Sequence, residues 1–263
     1  MIDPLDETQY LVGRAREGDK HSYRTLVERH MPFVYALCWA RTTDASAARR
    51  LAEGAFIAAY RNLWAAPKKG FRRWLHDTFR ENMLSSHHSG GSTPEGHPLD
   101  LLTGMPLRSR EFIAVHCAGG LGLDDVARAF GESASSVSSA FAMLGQDHAA
   151  QDGHPCHMID SLPTLLDDAL PLKKKASITA HIDQCDECRS ALATLQGTLA
   201  AFKAAFQELL PGQESIERVI SALPDGAPAP PQRPPPIRML VTAWMLAIAA
   251  VILGIILFLL TRR

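Results

Sequence analysis

Metal geometry is the first constraint on a chain that carries His181-Ile182-Asp183-Gln184-Cys185-Asp186-Glu187-Cys188, because one imidazole and two thiols fall within eight residues. A two-residue gap between cysteines lets one turn of backbone aim both sulfurs at a single point, and the nearby histidine adds a third ligand. Tetrahedral zinc takes four such ligands, so zinc is the expected cofactor. The fourth ligand must come from elsewhere. Cys156, inside His154-Pro155-Cys156-His157, is the first candidate, and the spacing also admits His157 or His154. A closed set of four ligands leaves no position for water, so the metal would staple the fold and catalyse nothing. The competing interpretation is a redox-active pair, or two buried thiols that bind nothing.

The second constraint lies at residues 239–260, which hold no charged side chain and consist mainly of Leu, Ile, Ala and Val. A helix of that length crosses a hydrocarbon core of about 30 Å, so a single membrane span is expected there. Trp244 suits an interfacial position, and Thr261, Arg262 and Arg263 are all that follow the run. The first residues, Met1-Ile2-Asp3-Pro4-Leu5-Asp6, have neither a basic region nor an apolar run, so no cleaved signal is expected. Arg233 and Arg238 on one side balance Arg262 and Arg263 on the other, which leaves charge silent on orientation. The missing signal and the thiol-rich metal motif place the bulk of the chain in the cytoplasm, tethered to the inner membrane.

Two linkers divide what precedes the span. Residues 85–98 are rich in Ser, His and Gly, and residues 89–98 read as a flexible connection. Residues 224–236 are Pro-rich and predict an extended, semi-rigid spacer. Between them the apolar period is helical: Leu51, Ala52, Ala55, Phe56, Ala59, Tyr60 and Leu63 recur at three and four, as do Leu192, Leu195, Leu199, Phe202, Phe206 and Leu209. No segment alternates as a strand, so the fold class is all-α, with small helical domains each burying an apolar stripe. The net charge of −1 hides an asymmetry, since residues 1–88 are rich in Arg and Lys. Residues 99–148 instead set Arg108, Arg110 and Arg128 against Asp100, Glu111, Asp124, Asp125, Glu132 and Asp147. Cys38 and Cys117 sit in apolar surroundings and read as small buried hydrophobes.

The run 11–20, followed by Tyr23, Leu26, Arg29-His30, Val34-Tyr35, Asp44, Ala48, Leu51, Phe56 and Trp74-Leu75, resembles the promoter-melting region of extracytoplasmic-function sigma factors. The resemblance implies a helical domain over residues 1–88 that docks on RNA polymerase core and captures an unpaired promoter base. The local chemistry suits a single strand, because cations alternate with aromatic faces. Arg61, Asn62, Trp64, Lys68, Lys69, Phe71, Arg72, Arg73, Trp74 and Arg80 are the nucleic-acid candidates. Three positions depart from the family pattern: Arg49-Arg50 stands in place of an acidic pair, Glu53-Gly54 in place of glutamine-glutamate, and Ser85-Ser86-His87-His88 in place of a basic tail.

Residues 99–148 resemble the helix-turn-helix domain of the same factors, with a supporting helix at 110–115, a first helix at 123–130, a turn at Gly131-Glu132-Ser133 and a second helix at 134–144. A helix that reads base edges carries Arg, Lys, Asn or Gln, whereas Ser135-Ser136-Val137-Ser138-Ser139-Ala140-Phe141-Ala142 offers hydroxyls and methyls. A fold relic or a protein-docking surface is therefore the stronger expectation for this domain.

Residues 154–223 complete the series. Cys156, the His181, Cys185, Cys188 triplet and a long amphipathic helix ahead of a span resemble the zinc-binding anti-sigma domain. That family inhibits by wrapping helices around sigma domains. The chain thus reads as a degenerate sigma factor joined to its own inhibitor, silent while clasped and released by metal loss, thiol oxidation or proteolysis. Its partners would be RNA polymerase core, promoter DNA and the membrane. The departures above and the acidic helix-turn-helix support a second assignment, an anti-sigma protein or membrane adaptor that binds a separate sigma factor. No Ser-His-Asp order, phosphate-cradling glycine loop or paired carboxylates stand out, so no enzyme is expected.

Overall fold

A computed structural model describes residues 4–84, 97–149, 156–166 and 170–230. Eleven α-helices run through these segments, and none of the described residues lies in a strand. In chain order they are α1 Pro4–Arg16, α2 Lys20–Thr42, α3 Ala45–Arg61, α4 Phe71–Leu84, α5 Asp100–Thr103, α6 Leu107–Gly119, α7 Leu123–Phe130, α8 Ala134–Ala149, α9 Leu172–Ile182, α10 Asp186–Leu209 and α11 Gln213–Ser221. Short 3-10 stretches cover Leu63–Ala65 and Ile159–Leu166. The all-α expectation holds for the described residues. None of their helices is long and apolar enough to cross a membrane. The run 239–260 lies outside the described residues, as do linker residues 85–96 and His154.

Local chemistry explains where α2 begins and ends. The Asp19 carboxylate accepts from the backbone N–H groups of His21 and Ser22, which satisfies two donors that a helix start otherwise leaves orphaned. Thr43, in the left-handed region at φ 51°, closes the other end by donating its N–H to the Trp39 carbonyl. Between these caps every residue from Phe33 to Ala40 is buried, so the second half of α2 is wrapped on all sides. Helices α1, α3 and α6 pack directly on it. Helix α6 is similarly enclosed from Glu111 to Ala118. Cys38 and Cys117 are buried within these two helices, and burial pushes both thiols up, that of Cys117 to about 12.

The described residues up to Pro228 form one compact unit, and its main apolar core draws on both the amino-terminal helices and α10. Phe56 and Tyr60 of α3, Ile113 and Val115 of α6, Phe141 of α8, and Leu199, Phe202 and Phe206 of α10 all belong to that core. The sequence predicts a separate core for each small domain; instead α10 packs on α6 and α8, while α11 packs on α3 and α2. The physical reason is that an apolar stripe fixes which face of a helix is buried and not which neighbour buries it. A second, smaller cluster stands apart from the main core and comprises Ile159, Leu162, Ile178, Ile182, Cys188 and Ala191.

The described part of the Pro-rich linker does not stand away as a spacer. Tyr60 donates its hydroxyl to the Gly226 carbonyl at 2.9 Å, and Trp64 donates its indole N–H to the Pro228 carbonyl at 2.8 Å. Lys20 meets Asp225 at 3.1 Å. Gly18, at φ 95°, makes room for this strap, since a Cβ there would lie 3.0 Å from the Ala227 nitrogen. Composition predicts an extended backbone whether or not it is docked, which is why the docking is absent from the sequence signal.

Candidate metal centre

Four elements bring the ligands together. Cys156 precedes the 3-10 stretch Ile159–Leu166, His181 sits in the last turn of α9, Cys185 caps the start of α10 in an extended conformation, and Cys188 occupies its first turn. The small cluster behind them holds α9 and the 3-10 stretch in register through Ile159, Leu162, Ile178 and Ile182. The four ligand atoms all lie within 4.8 Å of one another. His181 Nε2 is 3.2 Å from Cys156 Sγ and 3.4 Å from Cys188 Sγ. Tetrahedral zinc with metal–sulfur bonds of about 2.3 Å would place neighbouring ligand atoms about 3.7 Å apart, so this group could hold a metal ion with small adjustments. Three thiols and an imidazole form the donor set that softer divalent metals prefer.

Cys156 is thus the residue that joins the triplet. His157 is exposed, and its ring centre is 6.2 Å from that of His181, outside the ligand group. Sequence reasoning missed Glu187, which was only a spacer between two cysteines. Its carboxylate accepts from the Cys156 backbone N–H at 3.2 and 3.3 Å, tying the distant ligand to the motif. Such outer contacts orient ligands. The thiols differ in character. The Cys188 backbone N–H holds the Cys185 thiol below its usual range, and burial pushes the Cys188 thiol up.

The nucleic-acid candidates of residues 61–80 are spread over several environments. Arg61, Lys68, Lys69, Arg73 and Arg80 are exposed, with Arg73 paired to Asp77 at 3.1 Å, and Arg72 is half-buried. Asn62 ends α3, its side-chain amide donating to the Ala58 carbonyl at 3.2 Å. Phe71 is 8% exposed and packs between His30 and a half-buried Trp74, so its face turns inward. Trp64 is 41% exposed, with the Arg16 guanidinium 5.5 Å from its ring and the strap carbonyl on its indole N–H. Arg16 also donates to the carbonyls of Leu63, Trp64 and Ala66, which fixes the loop that carries these residues.

The second helix of the helix-turn-helix segment, α8, buries Val137, Ser138, Ala140, Phe141 and Ala142 and packs on both α10 and the 3-10 stretch beside Cys156. Its exposed residues include Ser135, Ser136 and Ser139, and no cation lies among its residues 134–144.

No protein-family profile matches this chain, and no solved structure does. A stretch of 115 residues is 31% identical to part of bifunctional protein GlmU from a Polaromonas species, covering 41% of this chain. The match spans 24% of that protein's length, a share that defines no family for this chain.

Proposed function

We propose that this protein is a membrane-tethered transcription regulator, in which a sigma-like amino-terminal part is held silent by the metal-bearing part that follows it. The metal is zinc, held by Cys156, His181, Cys185 and Cys188 and acting as a structural staple at the start of α10. Residues 239–260 anchor the chain in the inner membrane with its bulk in the cytoplasm. On release, the amino-terminal part would bind RNA polymerase core and direct it to promoters through the basic and aromatic residues of 61–80.

One observation carries this assignment: α10 and α11 share the apolar core of α2, α3, α6 and α8, as an inhibitor must if it clasps both sigma-like segments. Ion pairs add to the clasp, with Arg24 meeting Glu217 at 2.5 Å and Arg218 meeting Glu53 at 2.7 Å. The strap on Tyr60 and Trp64 extends the cover to one of the candidate strand-binding faces. Because the tether makes the contact intramolecular, even modest affinity would keep it closed.

The test is a full chain loosened by Phe206→Ala with Arg218→Glu, assayed for binding to RNA polymerase core and for promoter-directed transcription. Gain in both is expected, and no gain over the parent chain would sink self-inhibition. The bare hydroxyl surface of α8 favours a second assignment, an anti-sigma protein or adaptor that never touches DNA. A salt-dependent shift of promoter DNA by the loosened chain with polymerase core separates the two, since an adaptor gives none.

A further inference from the structure

A cleft of about 850 Å³ opens where α1, α2, α4 and α7 meet, on the main core and away from the metal group. Its wall gathers Arg29, Lys68, Arg72, Arg73 and Arg128 against two carboxylates, Glu7 and Asp125. Some of these cations are already paired: Arg29 with Glu7 at 2.9 Å, Arg73 with Asp77 at 3.1 Å, and Arg128 with Asp125 at 2.6 Å. Positive charge is still in excess, so the wall presents a positive potential that favours an anion.

His30 makes the second, independent observation. It lines the same cleft, is 3% exposed, and neither ring nitrogen has a hydrogen-bond partner among the described residues. A buried imidazole with both nitrogens bare is costly, so the site holds an unmet demand for one donor and one acceptor. Burial, with Arg72 and Arg29 nearby, drives its pKa down to about 3, which keeps the ring neutral at physiological pH. Its ring packs against Phe71 at 5.1 Å, so the floor of the cleft is both aromatic and polar.

We propose that this cleft binds a small phosphorylated ligand of nucleotide size, with the cationic wall taking the phosphate and His30 facing its uncharged portion. The volume falls within the usual range of about 300–1,000 Å³ for small-molecule sites. Guanidinium groups match phosphate oxygens in paired, charge-assisted hydrogen bonds, and Lys68 adds a point charge at the rim. Since α4 lies on one side and α7 on the other, the ligand would bridge the two sigma-like segments and reinforce their packing.

Calorimetric titration of the full 263-residue chain in detergent with ATP, pyrophosphate and adenosine tests the assignment. ATP and pyrophosphate should bind and adenosine should not. Lys68→Gln with Arg72→Gln should weaken both by about tenfold or more. His30→Phe should weaken ATP more than pyrophosphate. If a variant fails to fold, the parent still answers, because the ring nitrogen resonances of His30 must shift when ATP is added. Absence of binding by both phosphate probes at millimolar concentration, binding untouched in the folded variants, or static His30 resonances would each overturn the proposal. So would a single-stranded oligonucleotide that binds more tightly than ATP through the same residues, which assigns the cleft to a nucleic-acid strand.

Discussion

Truncating Phe206 to alanine tests whether α10 is built into the body of the protein or merely rests on it. Phe206 is fully buried, and its ring meets the fully buried Trp39 of α2 edge to face at 5.1 Å and 84°. Removing a buried phenylalanine side chain costs about 3–5 kcal/mol, of which the ring pair accounts for about 0.5–1.5. The ion pairs of the clasp are weak beside this. Arg218 and Glu217 are 43% and 59% exposed, so solvent screens each pair, and Arg218→Ala should cost far less than Phe206→Ala. For a body of this size, a loss of 3–5 kcal/mol lowers Tm by about 6–20 °C. The assay is thermal and denaturant unfolding of the full chain in detergent, with hydrogen exchange resolved by segment. Amides of α2 should lose protection together with those of α10. A cost below about 1 kcal/mol, or deprotection confined to α10 and α11, would refute the shared core.

Other consequences are equally direct. Cys188→Ser should abolish the one metal per chain expected by elemental analysis and deprotect α9 while leaving α2 protected; retained metal would contradict the ligand set. Glu187→Gln removes the charge that the Cys156 N–H donates to, so chelator competition should show metal affinity weakened by about 10-fold. Gly18→Ala places a Cβ at φ 95° and 3.0 Å from the Ala227 nitrogen, and should cost about 1–2 kcal/mol with faster exchange at residues 224–228. His30 predicts acid sensitivity. Its folded pKa of about 3 lies below the ordinary 6.5, so the unfolded chain binds the extra proton and stability present above pH 6.5 is lost as pH falls toward 3. Between pH 7 and 5 that single group should cost about 2 kcal/mol, and His30→Phe should flatten this part of the pH profile.

Sequence periodicity exposed helices such as α3 and α10 because each has a long apolar face. The stripe at Leu195, Leu199, Phe202 and Phe206 is buried as its spacing predicts, and α7 spans Leu123–Phe130 as expected. The ligand triplet was legible because its residues are neighbours in sequence. Cys156 was a candidate among three, since only folding brings residues 25 positions apart to 3.2 Å. The shared core, the docked strap and the cleft beside His30 were not legible. Each is a meeting of segments distant in sequence, and spacing along one segment carries no information about its partner. Phe71 shows the same limit, because a ring flanked by cations suits a stacking platform and a core wedge equally until its neighbours are known.

The two ends of α10 belong to different cores, and this decides how the proposed clasp would open. Cys188 lies in the small cluster beside the metal group, while Phe202 and Phe206 lie in the main core. At 1.5 Å per residue the two ends are about 27 Å apart along the helix axis. Losing the metal removes the staple from α9 and the first turns of α10, yet leaves the aromatic wedge in place against Trp39. Metal loss or thiol oxidation by itself is therefore too remote to release α2 and α6. Release requires something that acts on the distal half of α10, such as a partner that competes for the same apolar surface or a cut that removes the strap and α11. A chelated chain that still fails to bind RNA polymerase core, and gains binding when Phe206 is also truncated, is the outcome this geometry predicts.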